Sequence, residues 1–276
     1  MKAVRYRSGP DEYRIGRLDG DQIVDAGPAA EQGFVPTRAA WAELAAADGP
    51  REALDAVTLA HPVAPRKLIC IGLNYRDHAE EPELDLPEVP VIFAKWTTSL
   101  IGHGGTIVIP REETRPDYEG EVAVVLGRTV YRASPDAARA AVGGITCLHD
   151  VSGRRAQLET PLRQFTLGKS FDTFSPMGPC VASAGDMDLE SIGIRTVVSG
   201  ETMQDSTTAN LIFSIVELIV YCSAGVTLEA GTVIATGTPG GVGDSRVPPR
   251  YLREGDVVEI TVNGVGTLRN PVTLER

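Results

Sequence analysis

Three carboxylates define the chemistry open to this chain. Glu119 and Glu121 are separated by a single glycine in Asp117-Tyr-Glu-Gly-Glu-Val-Ala-Val-Val-Leu126, and Asp150 follows a second apolar run. On an extended strand, residues i and i+2 project from the same face, so both glutamates can aim at one centre. The stretch from Val122 to Leu126 is apolar and mostly β-branched, which suits a buried strand. Three carboxylates without sulfur or clustered imidazole describe a site for a hard divalent cation. Mg²⁺ or Mn²⁺ fits, with positions left for water and for a substrate's oxygens. A Glu-x-Glu pair alone fits an exposed strand edge equally well; its setting favours the metal.

Further polar groups accompany the carboxylates. His78 and Glu81, in Asn74-Tyr-Arg-Asp-His-Ala-Glu-Glu81, share a face if the segment makes a helical turn. A glutamate holding an imidazole fixes its tautomer and raises its basicity, which a general base needs to take a proton from water. A solvated loop histidine is the alternative. Arg154 and Gln157 follow Asp150 at helical spacing and pair a cation with an amide donor, a suitable grip for a substrate carboxylate. They also fit a surface arginine beside a rim glutamine. Lys169, close to Phe171 and Phe174, reads as a partly desolvated ammonium able to stabilise an oxyanion. Otherwise its stem simply covers the aromatics. The run Thr236-Gly-Thr-Pro-Gly-Gly-Val-Gly243 follows a strand and could bring backbone N–H groups and the Thr238 hydroxyl to an anion. It is neither a Walker loop nor a Rossmann fingerprint, and most such loops are only tight turns. Lys95, at a strand end, is a weaker site residue. His61, His103 and His149 are set aside, His149 because it would face away from Asp150.

The elements that must position these groups are mainly strands. Lys2–Arg7, Tyr13–Leu18 and Gln22–Asp25, with a hairpin turn at Asp19-Gly20, precede a helix over Thr37–Ala47. These form a small N-terminal β-containing domain, residues 1–62, ahead of a main domain, residues 63–276. Strands are expected there at Lys67–Gly72, Val91–Ala94, Thr106–Ile109, Glu119–Leu126, Gly144–Leu148, Cys180–Ala182, Ile194–Ser199, Thr232–Thr236, Val257–Val262 and Gly266–Arg269. Asn263-Gly264 reads as a type I′ turn between the last two. Helices are expected from Ser134-Pro135 to about Val142 and over Thr207–Ser223. The acidic, proline-punctuated stretch 74–88 reads as a loop or short helix lying over something. The fold class is α+β, rich in β.

Hydrophobic residues make up 42% of the 276, enough for a real core, and the net charge of −11 argues against a nucleic-acid partner. The opening residues lack the apolar core of a signal peptide, and Leu211–Ala224 is too short for a membrane span and contains Glu217. Cys70, Cys147, Cys180 and Cys222 form no CxxC pair and read as buried, reduced thiols of a cytoplasmic protein.

Taken together, Gly72–Glu81, Asp117–Glu121, Asp150–Gln157, Gly168–Asp172, Gly200–Asp205 and Thr236–Gly243 resemble the fumarylacetoacetate hydrolase family, and the resemblance runs from residue 65 to residue 272. It points to acylpyruvase-like or 2-oxo-hepta-3-ene-1,7-dioate isomerase-like members. It implies a mixed β-roll or sandwich catalytic domain, a homodimer, and Mg²⁺ or Mn²⁺, with Ca²⁺ in some members. By motif position it implies Glu119, Glu121 and Asp150 as metal ligands and His78 with Glu81 as the water-activating dyad. Arg154, Gln157, Lys169 and Thr238 would contact substrate oxygens, and Tyr75 would line the far end. His149 stands where relatives often have asparagine, and His103 where many have proline. The implied activity is hydrolysis of a C–C bond in a 2,4-diketo acid through a pyruvate enolate. Oxaloacetate-type decarboxylation, hydration or isomerisation of 2-oxo-enoic acids, and ketoacid binding without turnover are the alternatives.

Overall fold

The fold was described from a computed structural model, which covers residues 1–9, 12–77, 86–159 and 161–276. Its centre is the strand Gly120–Leu126, in which all seven residues are buried. Val122, Val124 and Leu126 pack on one face with Ile194, Val258 and Ile260, while Ala123 and Val125 pack on the other with Cys70, Phe93 and Val181. A strand covered on both faces needs a continuous apolar run rather than an alternating one, and the sequence supplies it.

This strand lies inside a 12-stranded sheet. On one side it pairs antiparallel with Val142–His149, which pairs with Ser175–Ser183, which in turn pairs with Lys2–Arg7. On the other side come Val233–Ala235, Leu68–Gly72 and the edge strand Val91–Ala94. The strands Arg14–Asp19, Gln22–Pro28 and Arg51–Ala53 extend the sheet beyond Lys2–Arg7, so the N-terminal segment joins the sheet that carries Glu121 through its pairing with Ser175–Ser183. A second sheet of five strands, in the order Glu201–Thr207, Gly193–Val198, Val257–Val262, Gly266–Leu274 and Ile107–Ile109, packs over one face. Strands dominate and the helices are short, which makes this the expected β-rich α+β fold.

Thr37 caps the helix Arg38–Ala46, accepting from Ala40 N at 3.1 Å, and Ser134 caps Pro135–Ala141. The helix expected over Thr207–Ser223 is not continuous. Residues through Thr207 extend a strand, Thr208–Asn210 form one 3₁₀ turn, and only Ile215–Cys222 is α-helical. Two contacts explain the shift. Ser214 and Glu217 form a capping box that starts the helix late. The Asn74 side chain accepts from Phe213 N at 2.9 Å and donates to Phe213 O at 3.1 Å, which takes that backbone out of a helix. The last hairpin also differs: Val262 pairs with Gly266, leaving three loop residues, with Gly264 at φ 81° in place of a two-residue turn. All four cysteines are free and buried. Among the described residues, no helix is long and apolar enough to cross a membrane.

One ion pair pins the N-terminal strands. Asp25 accepts from Tyr6 Oη at 2.7 Å and from Arg14 Nε at 2.7 Å. The Arg14 hydrogen bond, ahead of the opposing burial, holds the Asp25 carboxyl below its ordinary range. A depressed folded-state value means stability that is present above the unfolded carboxyl value and lost as pH falls through the folded one. Asp25→Asn is therefore expected to lower stability by about 2 kcal/mol at neutral pH, less than a fully buried pair because Arg14 is partly exposed. It should also flatten the acid limb below about pH 4, as read by urea melts across pH.

Candidate metal centre

The antiparallel register brings the carboxylates together. Gly120 pairs with His149, and Asp150 N donates to Glu119 O at 2.9 Å, so the end of one strand meets the start of the turn after its neighbour. Glu119, Glu121 and Asp150 each offer an oxygen within 4.8 Å of the others, and all three side chains are buried.

Three cations surround them. Lys169 Nζ lies 2.8 Å from Glu119 Oε2 and 2.7 Å from Asp150 Oδ2, and 4.9 Å from the centre of the Phe93 ring. Lys95 Nζ donates to Asp150 Oδ1 at 2.6 Å and to the carbonyls of Val151 at 3.2 Å and Phe174 at 2.8 Å. Arg154 Nη2 reaches Glu119 Oε1 at 2.6 Å and Asp117 Oδ2 at 2.7 Å, while Nη1 donates to Gln157 Oε1 at 3.1 Å.

The charges do not balance. Four buried carboxylates, Asp117, Glu119, Glu121 and Asp150, face three cations, Lys95, Lys169 and Arg154. Glu121 bears the excess. Among the described residues no cation pairs with it, and Gly237 N is its hydrogen-bond donor at 3.0 Å. Burial, then the charges of Asp150 and Glu119, push its carboxyl well above the usual range. For Lys169, burial opposes the charge but Asp150 and Glu119 outweigh it and raise the ammonium's pKa. An all-oxygen donor set with surplus negative charge fits a hard divalent cation. The donor set alone does not choose between Mg²⁺ and Mn²⁺.

The other expected site residues fall around this cluster. Arg154 and Gln157 lie on the short helix Arg154–Leu158, where the Gln157 oxygen accepts from Arg154. The Thr238 hydroxyl donates to Gly120 O at 3.0 Å and accepts from Gln204 Nε2 at 2.7 Å, so its one proton is held inside the protein. Tyr75 is fully buried; burial, then the charge of Glu121, lifts its phenol's pKa. His78 and Glu81 lie outside the described residues. The residue before them, Asp77, accepts from Ser206 Oγ at 2.7 Å and from Gly240 N at 3.3 Å, which ties that part of the chain to the glycine-rich loop. His149 is buried and kept neutral, its imidazole depressed to about 3, first by burial.

Lys95, Asp117 and Gln204 hold the centre more firmly than their sequence context suggests. Asp117 carried a readable signal, since Asp117, Glu119 and Glu121 are spaced i, i+2, i+4. Lys95 comes two residues after the buried Phe93, just past the end of a strand, and lysine is seldom fully buried unless paired. Gln204 lies within the matching stretch Gly200–Asp205 but is assigned no role there, because its partners lie on the other sheet and its loop.

Residues 67–273 match the fumarylacetoacetate (FAA) hydrolase C-terminal family, well over half of the chain. The chain belongs to the fumarylacetoacetate hydrolase family. Its relatives in this family include an oxaloacetate tautomerase of Bacillus subtilis, 44% identical over 215 residues, covering 76% of this chain and 71% of that protein. A mitochondrial oxaloacetate tautomerase of Bos taurus is 40% identical over 218 residues, covering 78% of this chain and 69% of that protein. Solved structures across the family superpose over the full length. A 5-carboxymethyl-2-hydroxymuconate delta-isomerase from Mycobacterium smegmatis has a TM-score of 0.82 at 34% identity, covering 100% of both chains. A fumarylacetoacetate hydrolase from Exiguobacterium antarcticum has a TM-score of 0.85 at 33% identity, also covering 100% of both.

Proposed function

We propose that this family member forms the enolate of a 2-oxo acid with the help of Mg²⁺ or Mn²⁺, and that its main reaction is keto–enol tautomerisation of an oxaloacetate-type substrate. The observation that carries this reading is the buried cluster of Glu119, Glu121 and Asp150 with its surplus negative charge beside Lys169. Relatives named oxaloacetate tautomerase, at 40% and 44% identity, favour tautomerisation over the family's other reactions.

Glu119, Glu121 and Asp150 would hold the cation, which when bound acts as a Lewis acid on a 2-oxo oxygen. The Gln157 amide and the free N–H of Arg154 orient a substrate carboxylate. Lys169, buried and charged, offers its third N–H to an oxygen that becomes negative during the reaction. His78, which the resemblance pairs with Glu81, would move the proton at the carbon next to the 2-oxo group. Desolvation by the surrounding core strengthens each of these interactions.

A second reading, hydrolysis of an acylpyruvate, is favoured by the His78-x-x-Glu81 spacing, which suits activation of a water. It passes through the enolate of pyruvate rather than that of oxaloacetate, and needs the added water. Decarboxylation of oxaloacetate reaches the pyruvate enolate by losing carbon dioxide. Oxaloacetate supplied as its enol, with acetylpyruvate beside it and a chelator control, separates these readings. Chelator-sensitive acceleration of ketonisation supports the tautomerase. Cleavage of acetylpyruvate without that acceleration makes the chain a hydrolase, and pyruvate release from oxaloacetate a decarboxylase.

His78→Ala is expected to leave Mn²⁺ binding intact while turnover falls by about 10²–10⁴-fold, the usual effect of removing a general acid–base group. Unchanged turnover would remove His78 from the mechanism. The reading also includes a homodimer. Val91 and Ile92 on the edge strand, with Trp96 beside them, are exposed apolar side chains that a second copy could cover. Light scattering at twice the chain mass is the expected result.

A further inference from the structure

The two peptide groups that flank Gly120, between the metal-site glutamates, are each held by a side chain. Gly120 N donates to Gln204 Oε1 at 2.9 Å, and Gly120 O accepts from Thr238 Oγ1 at 3.0 Å. Gln204 Nε2 closes the ring, donating to Thr238 Oγ1 at 2.7 Å and to Pro239 O at 2.8 Å. Gln204 is 1% exposed and comes from the strand Glu201–Thr207 of the second sheet.

This clamp occupies a gap in the ladder. The strand Val233–Ala235 pairs with the central strand only from Ala123 to Val125. Thr236 then covers Val122 O with both its N–H and its hydroxyl. Beyond that, among the described residues no backbone strand reaches Gly120 on this side, and the Gln204 carboxamide with the Thr238 hydroxyl takes the place of the next strand residue. Gly120 also needs to lack a side chain, because a Cβ there would stand 2.1 Å from Thr196 Oγ1.

We propose that Gln204 is a positioning residue for the metal centre, fixing the Glu119–Gly120 peptide plane directly and the Gly120–Glu121 plane through Thr238, and with them the directions of Glu119 and Glu121. The inference rests on the reading of the carboxylate cluster as a metal site. Glutamine is neutral, so its loss leaves the charge of the centre unchanged, and an altered metal affinity must come through geometry. One acceptor and both donors of the carboxamide are in use, so a side chain of similar volume without hydrogen bonds disrupts the clamp.

The test compares Gln204→Met, Thr238→Val and Thr238→Ser with the wild type. Two quantities are read without substrate: Mn²⁺ affinity by calorimetry and hydrogen exchange of the Gly120 amide in metal-free protein. Gln204→Met and Thr238→Val are expected to weaken Mn²⁺ binding by about 10–100-fold, the usual effect of losing a partner of the ligand shell, while Thr238→Ser stays near wild type. Gly120 exchange should quicken in Gln204→Met. Unchanged Mn²⁺ affinity in folded Gln204→Met would overturn the proposal. Were Gln204→Met not to fold, equal affinities for Thr238→Val and Thr238→Ser would overturn it instead. Wild-type protein that binds no Mn²⁺ would defeat the underlying metal reading. That failure is recognisable because the exchange of Gly120 would still respond to Gln204→Met.

Discussion

Glu121→Gln is expected to abolish turnover while making the metal-free protein more stable. Glutamine keeps the size of the side chain and can still accept from Gly237 N, so the fold has little to lose. The carboxylate is different. It is 1% exposed, no cation pairs with it among the described residues, and burial raises its pKa well above the ordinary range. Such a group is tolerated in the metal-free protein only at an energetic penalty, which a neutral amide removes. Metal-free stability should rise by about 1–2 kcal/mol, the common size of gains from relieving a functional site. Mn²⁺ affinity should fall by at least about 100-fold, the upper end of what even an outer partner contributes. Turnover should drop to that of chelated wild type. Thermal melts, calorimetry and an activity assay read the three effects together. Retained Mn²⁺ binding would remove Glu121 from the ligand set.

Lys169→Met should show the opposite pattern in stability. Its ammonium lies 2.8 Å from Glu119 and 2.7 Å from Asp150, and removing it leaves each of these buried carboxylates with one cation in place of two, Arg154 for Glu119 and Lys95 for Asp150. Breaking a buried pair in this way typically lowers stability by about 3–5 kcal/mol. A divalent cation neutralises the same two carboxylates, so Mn²⁺ should stabilise the variant more than the wild type. Turnover should still fall by about 10²–10³-fold, since the donor aimed at developing charge is gone even when the metal is bound. Melts with and without Mn²⁺, beside turnover at saturating Mn²⁺, separate these effects. Full activity at saturating metal would reduce Lys169 to a structural counter-ion.

The central strand and its glutamates were legible because everything needed is local. The five-residue apolar run Val122–Leu126 declares burial on both faces, and the i, i+2 spacing of Glu119 and Glu121 declares a shared direction. Caps at Thr37 and Ser134 were readable for the same reason. What escaped depends on distant partners. Helical periodicity over Thr207–Ser223 is real, yet Asn74, remote in sequence, takes the Phe213 backbone. The strand Ser175–Ser183 is longer than its apolar core Cys180–Ala182 suggests, since Pro176 and Pro179 argue locally against a strand that neighbours on both sides enforce. Lys95 looked peripheral because its acceptors, Asp150, Val151 and Phe174, come from turns far along the chain.

The reactions weighed for this chain share one kind of intermediate, the enolate of a 2-oxo acid. Moving a proton at C3 gives the enolate of oxaloacetate itself, whereas losing carbon dioxide or hydrolytic C–C cleavage gives that of pyruvate. Under the proposed function, the carboxylates, Lys169 and Arg154 would serve enolate formation in each case.

The most direct measurement is hydrogen–deuterium exchange at C3 of oxaloacetate in D₂O, followed by NMR, with Mn²⁺-loaded protein, chelated protein and Mn²⁺ alone side by side. Metal-dependent enolate formation gives exchange faster than both controls, abolished by chelator and by Glu121→Gln. Exchange no faster than Mn²⁺ alone, in protein shown by calorimetry to hold the metal, would contradict it.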